Sequence, residues 1–444
     1  MLSYQRRQLC LEGRSLKELA DELGTPLFLM SESRLRANYN ALARGLCHTG
    51  IKATVRYCAK TNNESAVLAM LAAWGSHVLV SHPVEAQLAL RCGFAPEKIA
   101  YQRPVLLEEE VRVLLDAGIA FIHAHRLQDL PVIERVASEL GKRVRISLRL
   151  RNDSLGFRLS PLRFLSYRLG FRESDLVAAA ERLRDSRWMT LAAINFYWGT
   201  QRESIDSYRK LLRRAARVAA NLQARLGVSL EEINLGGGIP SQSLRRIGLH
   251  TLARRLKDDA VPSDSPGALE RFAYALSAEF HEGVRSAGLR PLPAMAVEPG
   301  RSIVGDAAIL LTRVRAVQGK WAFLDASHNY LGESPFLFAR RVLPVTDPGP
   351  GTRRYYHLSG SSLNSRDIID VRRRLPVLVE GDLLALCDAG AYSISRAARY
   401  AGLSPALYLV LADGSLRMIR RAEKLLDLTC PMVMPGDGGR PLSE

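Results

Sequence analysis

The chain has 444 residues, 47% hydrophobic and 24% charged, with a formal net charge of +17. That is room for two domains with large cores, in a composition ordinary for a folded globular protein. The positive charge is Arg scattered along the chain, with no basic arm, zinc-finger spacing or RNP-like aromatic motif, so no specific nucleic-acid partner is expected.

The six cysteines are far apart and show no CxxC, which points to reduced thiols and a cytoplasmic protein. No apolar run approaches the ~18 residues that span a bilayer, and the first residues carry no signal-like apolar stretch, so no membrane partner is expected.

Apolar, β-branched runs recur at 54–59, 78–80, 99–101, 121–124, 144–150, 191–197, 233–235 and 294–298. Helical periodicity fills the gaps. It is clearest over 205–226, where Ile205, Tyr208, Leu211, Leu212, Ala215, Val218, Ala219 and Leu222 share one face opposite Arg and Lys. Eight strands alternating with helices predict an α/β fold, a (β/α)8 TIM-type barrel over residues 31–303; a doubly wound sheet is the other topology the pattern allows. Segment 241–267, rich in Arg, Asp, Ser and Pro, is expected to be a surface excursion. Beyond the barrel, runs at 307–317, 321–324, 355–359, 382–387 and 407–411 are divided by turns and predict an all-β C-terminal domain over 304–444. Residues 1–30 are assigned to the same domain, with 25–30 as a donated strand, and the tail after 431 is expected to be loose.

A barrel carries its chemistry at the carboxyl ends of its strands. The first strand closes on Tyr57-Cys58-Ala59-Lys60. An amine there is expected to be partly desolvated, which lowers its pKa and frees it for Schiff-base chemistry; a snorkelling Lys is the plain alternative. The seventh strand ends in Gly236-Gly237-Gly238, whose N–H groups can converge on an anion or simply make a tight turn. The eighth ends in Glu298-Pro299-Gly300-Arg301, a carboxylate and a guanidinium on a stiff corner, or a turn with a surface ion pair. Taken together they offer an amine for an aldehyde, N–H groups and Arg for a phosphate, and an acid for a ring nitrogen. Those are the requirements of pyridoxal 5'-phosphate.

On these motifs the sequence resembles the fold-type III pyridoxal-phosphate decarboxylases of the diaminopimelate and ornithine kind. The resemblance runs from Thr25-Pro26-Leu27-Phe28 to Glu423 and takes in Ser81 and Glu85, Asp325-Ala326, Gly381-Asp382 and Gly390-Ala391-Tyr392 in order. It implies a Schiff base at Lys60, Glu298 beside the pyridine nitrogen, and phosphate contacts from Gly236, Gly237, Gly238, Gly300 and Arg301, with Tyr392 close by. Tyr197 stands where the family has a His stacked on the ring, and Thr200 keeps the hydroxyl that follows it. An amino-acid substrate is implied, and a homodimer in which segment 360–367 reaches the partner's barrel.

The substrate-reading positions depart from this pattern. Leu363 replaces the family's proton-donating Cys, Asn364 a carboxylate that reads basic side chains, and Ser334 an Arg that binds a substrate carboxylate. Leu donates no proton, and Ser cannot form a forked ion pair. The expectation is a decarboxylase for an α-amino acid or amino-acid conjugate other than meso-diaminopimelate or ornithine. Lys60, His328 or a water on Asn364 would return the proton. A racemase or other non-decarboxylating enzyme on the same cofactor is one alternative, since the dedicated acid is gone. A non-catalytic cofactor-binding protein is the other, and the intact cradle argues against it.

Overall fold

Eight parallel strands close into a barrel: β1 (Ala53–Cys58), β2 (His77–Val80), β3 (Ile99–Gln102), β4 (Phe121–Ala124), β5 (Val144–Arg149), β6 (Met189–Asn195), β7 (Glu232–Asn234) and β8 (Ala294–Val297). Each pairs with the next in chain order, and β8 returns to β1 through Met295 opposite Ala53. The computed structural model describes residues 2–151, 169–247, 267–347 and 349–430. The chain divides into two compact units, one of Asn40–Pro240 and Gly267–Gly300, the other of Met1–Tyr39, Ser241–Pro266 and Arg301–Glu444.

The barrel strands lie where their apolar runs predict, with pairing that stops one or two residues short at several carboxyl ends. Leu150 and Phe196 remain buried although the β5 and β6 ladders have ended at Arg149 and Asn195. Hydrophobic runs report burial, and burial continues into the rim after pairing stops. The helix Ile205–Leu226 buries the face its periodicity marks, Tyr208 to Leu222, and ends at Gly227 in the left-handed conformation (φ 67°).

The barrel interior is polar towards its amino end. Arg56 of β1 makes a two-pronged pair with Glu232 of β7 at 3.1 and 3.2 Å, both side chains buried. The Arg56 guanidinium also lies 5.0 Å from the centre of the Phe121 ring, and Arg145 approaches the same ring at 4.8 Å. A small apolar layer of Cys58, Leu79, Ala100, Phe121, Ala192 and Ala193 fills the middle.

The second unit is built on a nine-stranded sheet. Its long strand Ala308–Gln318 pairs with Leu27–Ser31, Trp321–Leu324 and Leu383–Leu386, all antiparallel. Leu27–Ser31 in turn pairs in parallel with Leu407–Val410. The unit also holds a helix, Leu16–Leu23, because Leu16, Leu19 and Ala20 recur at helical spacing and Ser15 caps its first turn. Asp325 ties this sheet together, accepting from Thr25 and Thr312 at 2.7 Å each. The segment 241–267, expected as a surface excursion, begins instead as packed structure: Ser241, Ser243 and Leu244 are buried, and Arg245–Arg246 pairs with Phe338–Ala339; residues 248–266 lie outside the described residues, as does the tail from 431. Among the described residues, no helix is long and apolar enough to cross a membrane.

Removing Glu232 would leave the Arg56 guanidinium buried and unpaired. Glu232→Gln is therefore expected to cost about 3–5 kcal/mol, read as a lower unfolding midpoint in denaturant, whereas the same change at the exposed Glu231 is expected to leave the midpoint near that of the wild type.

Candidate active site

The carboxyl rim of the barrel is assembled around three glycines. A Cβ on Gly236 would collide with the Phe196 carbonyl, one on Gly238 with the Gly199 carbonyl, and one on Gly237 would lie 2.8 Å from the Glu298 carbonyl oxygen. Gly236 and Gly238 also take positive φ values of 68° and 95°. Only glycine lets the end of β7 pass this closely between the ends of β6 and β8. Glu298 N–H donates to the Gly236 carbonyl at 2.9 Å, and Arg202 N–H donates to the Gly238 carbonyl at the same distance. The Gly236 N–H is spent on Asn234 Oδ1 at 2.8 Å. The N–H groups of Gly237 and Gly238 have no protein acceptor among the described residues, so the anion-binding capacity of the turn rests on them.

Glu298, at the end of β8, is buried. Asn234 Nδ2 donates to its Oε1 at 2.8 Å, and His123 Nε2 lies 4.0 Å from the same oxygen. Burial raises the Glu298 pKa, opposed by the charges of Arg56, Arg149 and Lys60 and by the Asn234 hydrogen bond.

Lys60 is the middle residue of a single 3-10 turn, Ala59–Thr61, that follows β1. The Cys58 N–H donates to the Pro299 carbonyl at 3.0 Å, and a Cβ on Gly300 would collide with Thr61 Oγ1, so this turn and the Glu298-Pro299-Gly300 corner fit together. Ala59 and Thr61 are buried, but Lys60 is exposed. The expected desolvation of the amine is thus corrected: three residues per turn aim successive side chains about 120° apart, and the middle one leaves the packed wall. The Lys60 charge still acts on Glu298, His125 and Cys58, which puts the amine at the same rim.

Tyr197 and Thr200 follow β6 and are half-buried; the Arg149 guanidinium, at the end of β5, lies 5.5 Å from the centre of the Tyr197 ring. The barrel therefore brings together Lys60, Tyr197, Thr200, Gly236, Gly237, Gly238, Glu298 and Gly300. It also adds rim residues that the motifs did not single out: Asn234, Arg149, His123 and His125. The signal for the histidines was available in the alternation of Phe121-Ile122-His123-Ala124-His125, which puts both on one face of β4 and its continuation. Both are fully buried, and burial holds His123 well below its usual pKa and His125 at about 3. His125 has no hydrogen-bond partner for either ring nitrogen among the described residues.

The remaining predicted residues belong to the second unit. Arg301 is buried, paired with Glu333, and lies 5.2 Å from the ring centres of both Phe338 and Tyr392. Tyr392 itself takes a left-handed φ of 56°, and a Cβ on Gly332 would collide with its carbonyl. Ser334 and Asn364 line one cavity of about 600 Å³ with His328, Phe336 and Arg366. Next to it the loop 360–367 is closed by Asp367, which accepts from Ser327 Oγ, His328 N, Ser362 N and Ser362 Oγ at 2.5–3.0 Å. Leu363 stands at its tip, fully exposed at 102%.

Residues 32–305, more than half of the chain, match the family model for the pyridoxal-binding domain of pyridoxal-dependent decarboxylases. The chain belongs to that family: it is a pyridoxal-phosphate-dependent decarboxylase with a (β/α)8 barrel and a sheet-rich C-terminal region. It is 27% identical to the diaminopimelate decarboxylase of Methanothermobacter thermautotrophicus, over 95% of this chain and 94% of that protein. It is 28% identical to the enzyme of the same name from Archaeoglobus fulgidus, over 96% and 97%. Its fold matches that of M. jannaschii diaminopimelate decarboxylase in complex with L-lysine, with a TM-score of 0.86 at 22% identity over 98% of both chains. A lysine/ornithine decarboxylase of Vibrio vulnificus shares the fold at a TM-score of 0.71 and 19% identity, over 89% and 96%.

The buried His125 sets a pH dependence. Its pKa is about 3 in the folded chain against 6.5 unfolded, so below pH 6.5 the unfolded chain binds a proton that the folded one refuses. The stability this gives is complete above pH 6.5 and lost as the pH falls towards 3. His125→Asn is expected to flatten the slope of unfolding free energy against pH by up to about 1.4 kcal/mol per pH unit in that window. Denaturant melts at pH 5 and pH 8 check this; an unchanged slope would show that His125 is protonated in the fold.

Proposed function

We propose that Lys60 holds the cofactor and that the substrate is an α-amino acid or amino-acid conjugate that loses its carboxyl group as CO2. The observation that carries this reading is the shared rim: an exposed amine, a glycine turn with two unspent N–H groups, and a buried acid clamped through one oxygen. These residues fit pyridoxal phosphate. When bound, it supplies an electron sink for the bond that breaks. Gly237 and Gly238, with Gly300 and Arg301, would hold its phosphate, and Tyr197 would lie against its ring with Thr200 beside it.

Glu298 works on the ring nitrogen. Asn234 occupies Oε1, which leaves Oε2 to face the nitrogen, and burial favours the form of the carboxyl that carries a proton. Arg149 orients the Tyr197 ring from its other side. With no proton available from Leu363, Lys60 Nζ would return one to the substrate carbon. We further propose a cytoplasmic homodimer in which the loop 360–367 enters the partner's barrel, with its exposed Leu363 covered there. Ser334 and Asn364 supply neither the cation nor the anion that a diaminopimelate side chain would need, which favours another substrate.

The test is CO2 release from a panel of α-amino acids and their conjugates. The wild type is expected to release CO2 from at least one of them, and Lys60→Ala to be slower by about 10²–10⁴. Inversion at the α-carbon with the carboxyl group retained would instead mark a racemase, and undiminished CO2 release in Lys60→Ala would overturn the assignment of Lys60.

A further inference from the structure

β4 and the residue after it bring two histidines to the inner face of the barrel, His123 and His125, outside the motifs that mark the site. In the closed order of the eight strands β4 lies opposite β8, four places away in either direction. The two strands meet across the interior, where His123 Nε2 lies 4.0 Å from Glu298 Oε1. Gln102 of β3 stands in register with His123 and is buried at its level. His125 is two residues further along the same face, so its ring stands roughly 6–7 Å nearer the rim than that of His123.

The backbone that carries this ring is pinned. Asp129 Oδ2 accepts from the N–H groups of His125 and Arg126 at 3.0 Å each, and Asp129 Oδ1 accepts from the Arg126 guanidinium. The imidazole is not tied in the same way. His125 is 3% exposed, and neither ring nitrogen has a hydrogen-bond partner among the described residues. Burial and the charges of Arg149, Arg126 and Lys60 keep the ring neutral, so one nitrogen carries a hydrogen to donate. A buried donor without a partner costs free energy until something fills the place.

The shape of the cofactor shows which atom would come to it. In pyridoxal phosphate the ring nitrogen and the aldehyde carbon lie at opposite ends of one axis. The phosphate arm and the 3-oxygen leave the ring on opposite sides of that axis. With the nitrogen at Glu298, the aldehyde at Lys60 and the phosphate at Gly237 and Gly238, the 3-oxygen is turned away from β7 towards the strands across the barrel. There β2 and β3 offer Leu79 and Ala100 to the interior, and Gln102 lies one layer deeper with His123. The Arg149 guanidinium of β5 is turned to the Tyr197 ring. The 3-oxygen is also bonded next to the aldehyde-bearing carbon, so the group that meets it has to stand near the Lys60 amine, and the charge of Lys60 reaches His125.

We infer that His125 donates a hydrogen bond to the cofactor's 3-oxygen, fixing the ring within its plane from the wall opposite Glu298. This rests on the placement of the cofactor proposed above and adds a contact to it. A substrate carboxylate is the other acceptor that an imidazole at this rim could meet, and the test separates the two.

The full-length protein, freed of cofactor, is titrated with pyridoxal 5'-phosphate and with its 3-deoxy analogue, which keeps the aldehyde, the ring nitrogen and the phosphate. Binding is read by tryptophan fluorescence. His125→Phe keeps a flat ring and loses the donor. It is expected to bind pyridoxal phosphate about tenfold or more weakly than the wild type does, and the analogue equally well. His125→Gln, whose longer amide still donates, is expected to recover part of the affinity for pyridoxal phosphate. Equal losses for both ligands in His125→Phe would make His125 a packing residue and overturn the inference. So would unchanged affinity for both ligands with a raised KM for the amino acid, which would assign the imidazole to the substrate carboxylate. Should His125→Phe fail to fold, His125→Asn, whose shorter amide stops short of the oxygen, carries the same comparison. Binding of pyridoxal phosphate to Lys60→Ala as tight as to the wild type would overturn the placement of the cofactor at Lys60, a failure distinct from that of His125.

Discussion

One side chain couples the acid of this site to its glycine turn. Asn234 donates from Nδ2 to Glu298 Oε1 and accepts from the Gly236 N–H on Oδ1, at 2.8 Å in each case. An amide can do both at once, whereas a carboxylate there would repel Glu298 and an aliphatic residue would leave two buried groups unsatisfied. The consequence reaches further than two hydrogen bonds. With the Gly236 N–H occupied, Gly237 and Gly238 are left as the anion donors, and with Oε1 occupied, Oε2 is left for the ring nitrogen. The geometry of both functions thus depends on a residue that carries no charge and performs no chemistry.

The same logic runs down the barrel axis. Buried charge is tolerated where it is paired, as in Arg56 with Glu232, and the charge of Arg56 is also the largest influence countering the burial of Glu298. His123 and His125 are kept neutral by burial, so they crowd the rim with polar atoms without adding positive charge beside Lys60.

Much of the barrel could be read from the sequence, because each strand is a buried apolar run bounded by turn residues, and the helix at 205–226 repeats its apolar face over six turns. Lys60, the glycine triplet and Glu298 were legible because residues of those kinds seldom share a rim without chemistry to do. Asn234 was not, since an Asn between Ile233 and Leu235 is indistinguishable in sequence from any buried amide. The exposure of Lys60 was also out of reach, because it follows from the phase of a single 3-10 turn and not from the apolarity of the strand before it.

The central claim is that this chain carries its cofactor covalently on Lys60. The direct measurement is reduction of the purified holoenzyme with borohydride, followed by peptide mapping. A pyridoxyl group on the peptide that contains Lys60, absent from Lys60→Arg, is the predicted result. A pyridoxyl group on another lysine, or none on a protein that is yellow before reduction, would contradict the account.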